Sequence, residues 1–270
     1  MDVPGPGPDE QHEAGDAVES RSDGALHRRL RRLEETIGDG ERLVAREVSA
    51  HVTPAWRRVT QGEPRWPVSL AIVLTVGLQL SVPDRLTVRP RLIVPVLEAL
   101  LLVGIIVVNP RRVNRRSPRL RAATMALIGL ISVANGYSAG RLIVGLVQGT
   151  EKMEAPRLLL VGGAIWLTNV IAFSLWYWEL DRGGPAARAT GPRPYPDFFF
   201  PQMDLPDLAP PDWTAGYADY LFMSFTNATA FSPTDVLPLT PWAKLMMMAQ
   251  SAVSLMTAAL VIARAVNILQ

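Results

Sequence analysis

Leu245-Met246-Met247-Met248-Ala249-Gln250-Ser251-Ala252-Val253-Ser254-Leu255-Met256-Thr257-Ala258-Ala259-Leu260-Val261-Ile262-Ala263 is a run of nineteen residues without a charge. Wound as an α-helix at ~1.5 Å per residue it reaches ~28 Å, close to the ~30 Å hydrocarbon thickness of a bilayer. Similar runs precede it at 68–82, 122–140 and 158–178, and a fifth, 92–108, is broken only by Glu98. Five such runs are too many for the core of one small soluble domain. The expectation is an all-α integral membrane helical bundle with about five transmembrane helices, spanning 67–83, 92–108, 122–147, 158–178 and 242–269. A short re-entrant, pore-helix-like segment is expected within 217–241.

The average composition hides this division. The chain is 49% hydrophobic and 19% charged, but residues 1–66 hold 10 of its 25 arginines and 13 of its 25 acids. Cysteine is absent, which excludes disulfides, thiolate catalysis and cysteine metal sites. The three histidines, His12, His27 and His51, all precede the first apolar run, so none serves as a ligand or proton relay among the spans. No paired intramembrane carboxylates are present for acid–base work. The reading is therefore of a protein that is not an enzyme, with no catalytic residues, metal or cofactor, and with no nucleic acid among its partners. The 25 arginines against two lysines point to a high-GC bacterium.

Residues 1–24 are rich in Pro, Gly and acids and carry little to bury, so they read as a disordered tail. No apolar stretch of signal-peptide type opens the chain. Residues 25–66 are Arg-rich, and Leu26, Leu30, Leu33, Ile37, Leu43, Val44 and Val48 recur at helical spacing around Gly38-Asp39-Gly40. Two readings stand: an amphipathic helix on anionic lipid or a partner protein, or a solvated cytoplasmic tether. Residues 67–270 form the transmembrane domain.

Arginines in short loops mark the cytoplasmic side. Ten in the N-terminal region and six between 111 and 121 agree, because two spans separate them. This places the N-terminus in the cytoplasm of a bacterial plasma membrane crossed several times. Trp176, Tyr177, Trp178, Trp213 and Trp242 fall at one interface if the segment beginning at Tyr217 dips in and returns.

Glu98 and Arg141 are the two ionisable residues well inside the expected spans. Both fall ~9 Å below the same face of antiparallel neighbours, which predicts an ion pair. The pair would serve either as a gate or substrate contact, or as a fixture of helix register. Gly136-x-x-x-Gly140 has the spacing of close helix contact. Met246-Met247-Met248 points three ways around a helix and so reads as packing rather than a metal path.

The most specific stretch runs from Phe225 to Lys244. A short helix ends in Thr226-Asn227-Ala228-Thr229, and Asp235, Pro238, Thr240, Trp242 and a terminal helix follow. Over about fifty residues this resembles the pore module of potassium channels, with Asp235, Pro238 and Thr240 on matching positions. The resemblance implies a homo-oligomeric, permeation-type protein in which Thr226, Asn227, Thr229 and Asp235 line a polar vestibule. A potassium filter needs glycines that turn successive carbonyls to the ion, whereas Ala230-Phe231-Ser232-Pro233-Thr234 has none. Pro233 also fixes its own φ and restricts Ser232. The resemblance thus implies no potassium selectivity. Over residues 65–270 the chain is also similar to a family of bacterial polytopic inner-membrane proteins of no established activity, with the same span layout and an Ala265-Val266-Asn267 ending. A non-conducting membrane scaffold or regulator is the alternative function.

Span counting puts residues 181–241 inside, whereas a potassium-channel pore loop enters from outside. An inverted orientation, a segment that crosses after all, or a purely local likeness would each resolve this.

Overall fold

The computed structural model describes residue 56 and residues 58–108, 112–113, 117–190, 195–205, 208–229 and 235–269. The chain divides into two units, Met1–Pro54 and Ala55–Gln270. The expected disordered tail and most of the Arg-rich segment, including its amphipathic stretch, lie outside the described residues, as does the filter position 230–234.

The second unit is all-α in character. Its helices are α1 (Trp66–Ser81), α2 (Ile93–Val108), α3 (Pro118–Val147), α4 (Ala155–Leu180), α5 (Pro185–Thr190), α6 (Pro201–Asp204), α7 (Tyr217–Thr229) and α8 (Pro241–Leu269). Proline stands in the first turn of α1, α3 and α4, where its missing N–H would have no partner anyway. Ser117 caps α3 by accepting the Leu120 N–H at 3.4 Å.

Among the described residues three helices, α3, α4 with its following turn, and α8, are long and apolar enough to cross a membrane. The two expected spans near 67–83 and 92–108 form helices of only 16 residues, ~24 Å long. Local chemistry sets that length in α1. Its C-terminal neighbour Val82 is extended (φ −76°, ψ 135°) because Pro83 follows and disfavours a helical residue before it.

α4 is the hub, in contact with α1, α3, α7 and α8. From Val170 to Glu179 nearly every residue is buried, so this helix has no outer face in its second half. Two apolar cores stack along it. One gathers Leu127, Ile128, Leu175, Tyr177, Trp178, Phe198 and Tyr220; the other gathers Leu142, Leu158, Val161, Ile165 and Val261.

The surface is inverted relative to a water-soluble bundle. Leu97, Leu100, Val103 and Val107 of α2 and Leu245, Met248, Leu255 and Ile262 of α8 are exposed, while Glu98, Asn169, Ser174, Gln250, Ser254 and Thr257 are buried.

Two antiparallel two-residue ladders tie loops together. β1 (Glu63–Pro64) pairs with β2 (Arg112–Val113), and β3 (Phe198–Phe199) pairs with β4 (Leu237–Pro238).

Candidate functional site

α7 is a short helix of thirteen residues. Asp219 in its first turn reaches back to accept the Gly216 N–H at 2.8 Å, a capping arrangement that also places a carboxylate at the positive helix end. Tyr217, Tyr220, Met223, Ser224 and Ala228 form its buried stripe, while Phe222 and Phe225 face outward.

Contacts along α4 give the path of this segment. Tyr217 bonds to Ser174 at 2.8 Å and Ser224 donates to the Val170 carbonyl at 2.6 Å. Further in, Phe225 meets Trp166 edge-on with ring centres 5.8 Å apart. The chain then comes back to the C-terminal end of α4, where β4 pairs with β3 and the Leu239 N–H donates to the Asp197 carbonyl at 2.8 Å. It enters and leaves at the same end, the one that also carries Arg121 and Arg188.

A polar seam fixes α7 between α4 and α8. Gln250 of α8 is its centre: its Nε2 donates to the Ser224 carbonyl at 2.9 Å and to Ser224 Oγ at 2.7 Å. Its Oε1 accepts from Tyr177 at 2.7 Å and from Asn227 Nδ2 at 2.8 Å. Ser251 donates to the Asn227 carbonyl and side-chain oxygens at 3.1 and 3.2 Å. Asn169 to Ser254, at 2.9 Å, extends the seam along α4 and α8. Between apolar helix faces such bonds supply attachment and register.

Of the residues expected to line a vestibule, Asn227 bonds across to α8, whereas Thr226 and Thr229 bond to carbonyls of their own helix. Thr226, Asn227 and Thr229 share the last turns of α7. Thr226 donates to the Phe222 and Met223 carbonyls at 3.0 Å each, and Thr229 donates to the Thr226 carbonyl at 2.8 Å. Asn227 also donates to the Met247 carbonyl at 3.0 Å. Asp235 is exposed and lies beyond the undescribed residues 230–234.

The expected Glu98–Arg141 ion pair does not form. Glu98 is fully buried and accepts from Gln79 of α1 at 3.0 Å. Arg141 is exposed, off the α3 stripe of Ile131, Ala134, Asn135, Ser138 and Leu142 that faces the bundle. Equal depth is insufficient for pairing when the angular positions about the two helix axes differ. Gly136 and Gly140 likewise have open space where a Cβ would sit. The close approach is at Gly162 instead, where an added Cβ would stand 2.7 Å from Val261 Cγ1.

The corner after α4 is held by a dense set of hydrogen bonds. Arg182, Gly183 and Gly184 have φ of 54°, 87° and 96°, which turn the chain sharply. Arg188 Nη1 then donates to the Trp178 and Asp181 carbonyls at 2.8 and 2.9 Å, placing a cation on the negative end of α4. Its Nη2 bonds Glu63 at 2.6 Å, and Trp178 Nε1 donates to the other Glu63 oxygen at 2.5 Å. Burial opposes the Arg188 charge, but Glu63, Tyr220 and Asp181 outweigh it and raise its pKa above the ordinary value.

All four oxygens of Asp181 and Asp197 have donors. Asp181 accepts from the Asp197 N–H at 3.0 Å and from Tyr220 at 2.5 Å. Asp197 accepts from the Arg182 N–H at 2.7 Å and from Trp242 at 3.0 Å. Carboxylates so occupied act as clamps, holding the starts of α7 and α8 to the end of α4. Among the described residues no group of three His, Cys, Asp or Glu could hold a metal.

Sequence reasoning missed Gln250 and the Asp181–Asp197–Arg188 corner. Gln250, Ser254 and Thr257 do recur at helical spacing inside an apolar run, a stripe that marks an inward face. The corner carries no comparable periodic signal. The sequence matches no known family model, no curated protein and no solved structure.

Proposed function

We propose that the chain is a multi-pass integral protein of a bacterial plasma membrane whose C-terminal part is a pore-loop module. It works as a homo-oligomer and passes ions without potassium selectivity. The observation that carries this reading is the path of α7: a long helix, a half-helix that enters and returns at one end, then a second long helix. That order is the one a pore-loop protein repeats around a symmetry axis.

Lipid as solvent accounts for the inverted surface, with leucine and valine outward and amides and hydroxyls inward. The outward Phe222 and Phe225 offer α7 a surface for neighbouring copies. Arginine-rich segments held in the cytoplasm put the N-terminus there, and the half-helix then enters from the cytoplasmic side, opposite to a potassium channel. The test is ion flux into liposomes holding the purified protein. Flux that Asp235→Ala diminishes supports permeation; no flux in either protein, with a monomer in detergent, overturns it.

One observation favours a second reading, a non-conducting scaffold or regulator. Asn227 is bonded to Gln250 and Ser251 in the same chain, and the outward residues Leu245, Met248, Leu255, Met256 and Ile262 of α8 are all apolar. Membrane location without flux would select it.

A further inference from the structure

A cavity of about 790 Å³ opens between α1, α2, the start of α3 and the end of α4. One part of its wall is apolar, with Val68 and Ile72 from α1, Leu102 and Ile105 from α2 and Leu127 from α3. Three guanidinium groups, Arg65, Arg121 and Arg182, and one carboxylate, Glu179, also line it, a net excess of positive charge.

Arg65 holds buried donors on this wall, with the Glu179 carboxylate near enough to attract its charge. It is only 6% exposed, and its Nε and Nη1 are buried without a hydrogen-bond partner. Buried donors without acceptors are costly, so a site holding them favours an acceptor from outside the chain. Arg182 differs, since it donates to the Trp56 carbonyl at 2.7 Å and lies 5.0 Å over the Trp56 ring. Arg121 meets Glu179 at 3.6 Å, a loose pair that leaves its other guanidinium donors available. The first turn of α3, Ser117 to Arg121, borders the same cavity, adding the positive end of a 30-residue helix.

We infer that this cavity binds an anionic phospholipid, its phosphate on Arg65 and Arg121 and one acyl chain along Val68, Ile72, Leu102 and Ile105. The lining suits an amphiphile: an aliphatic wall beside guanidinium groups matches an apolar tail and an acceptor-rich anion in one molecule. Arginine at the rim suits phosphate because its planar fork donates two parallel bonds. The inference rests on the membrane reading above and is independent of whether ions pass.

The experiment uses the full chain purified in a neutral detergent. Thermal unfolding is followed with added phosphatidylglycerol, phosphatidylcholine or inorganic phosphate, and lipids retained by the protein are identified by mass spectrometry. Phosphatidylglycerol is expected to raise the unfolding temperature by several degrees and to be retained in preference to phosphatidylcholine, while inorganic phosphate does neither. Arg121→Gln, at an exposed position, is expected to reduce the shift, and Arg65→Gln with Arg121→Gln to abolish it. Ser69→Trp, which fills the cavity from a half-buried position, is expected to prevent retention. Equal shifts with both lipids, a shift from inorganic phosphate alone, or an undiminished shift in the arginine variants would overturn the inference. Cell fractionation separates the two failures: a chain absent from membranes defeats the membrane reading, whereas a membrane-bound chain indifferent to lipid charge defeats only this site.

Discussion

Arg188 and Glu63, 125 positions apart, form a buried ion pair at the end of α4, with Nη2 and Oε1 at 2.6 Å and side chains 7% and 14% exposed. The pair joins the chain entering α1 to the corner leaving α4, and Arg188 simultaneously caps the α4 carbonyls. Removing one partner strands the other away from water. Arg188→Met is expected to destabilise by about 3–5 kcal/mol. Adding Glu63→Gln should recover part of that loss, because the uncompensated charge is gone while the carbonyl caps remain missing. Unfolding curves in detergent measure both; a double variant no more stable than Arg188→Met would show that the ion pair contributes nothing of its own.

Gln250 bonds three residues at once, so Gln250→Leu leaves Tyr177, Ser224 and Asn227 each short of a partner. Interhelical hydrogen bonds in apolar surroundings couple by about 0.6 kcal/mol on average, reaching about 1.7. A double-mutant cycle with Gln250→Leu and Asn227→Leu should give a coupling in that range. Strict additivity would mean that the half-helix is held by packing alone.

Gly162 faces Val261, whose β-branched side chain has little freedom to retreat. Gly162→Ala is therefore expected to destabilise by about 1–3 kcal/mol through overpacking, and Val261→Ala should rescue it. Gly163, Gly136 and Gly140 have open space at the same point, so alanine there should be neutral or slightly stabilising. Comparable losses at Gly136 and Gly162 would place the close helix contact elsewhere than Gly162 and Val261.

Glu98 depends on Gln79 and owes nothing to Arg141. Arg141→Ala should change stability by less than about 0.5 kcal/mol, as exposed positions do. Gln79→Leu, which leaves the buried Glu98 without its donor, should cost about 1–3 kcal/mol. Exchanging the charges of Glu98 and Arg141 should give no rescue over either single reversal; a rescue would restore the pairing expected from depth.

What could be read in advance follows from periodicity. The runs around Ile72, Leu102, Ile131, Ile165 and Leu255 announced five apolar helices because each satisfies its own backbone and needs only apolar side chains in sequence. The short helix that begins at Tyr217 was legible from its weakly apolar stretch between flanking aromatics. Of the expected vestibule residues, Thr226, Asn227 and Thr229 do sit together on the last turns of α7, and only Asn227 bonds to α8. Asp181 and Arg188, in a stretch with no repeat to betray it, carried no sign that they meet Tyr220 and Glu63.

Sequence by itself determined which long segments are helical, roughly where each begins and ends, and that the helix after Tyr217 is shorter than its neighbours. Those properties depend on residues within a turn or two of one another, on proline at the helix starts and on uninterrupted apolar stretches. Tertiary structure decided who bonds to whom. Glu98 turned to Gln79 rather than Arg141, Gly162 rather than Gly136 admitted a neighbour, and Gln250 claimed Asn227. Each outcome depends on the angle a side chain takes about its helix axis and on which helix lies beside it, quantities that no local stretch of the chain specifies.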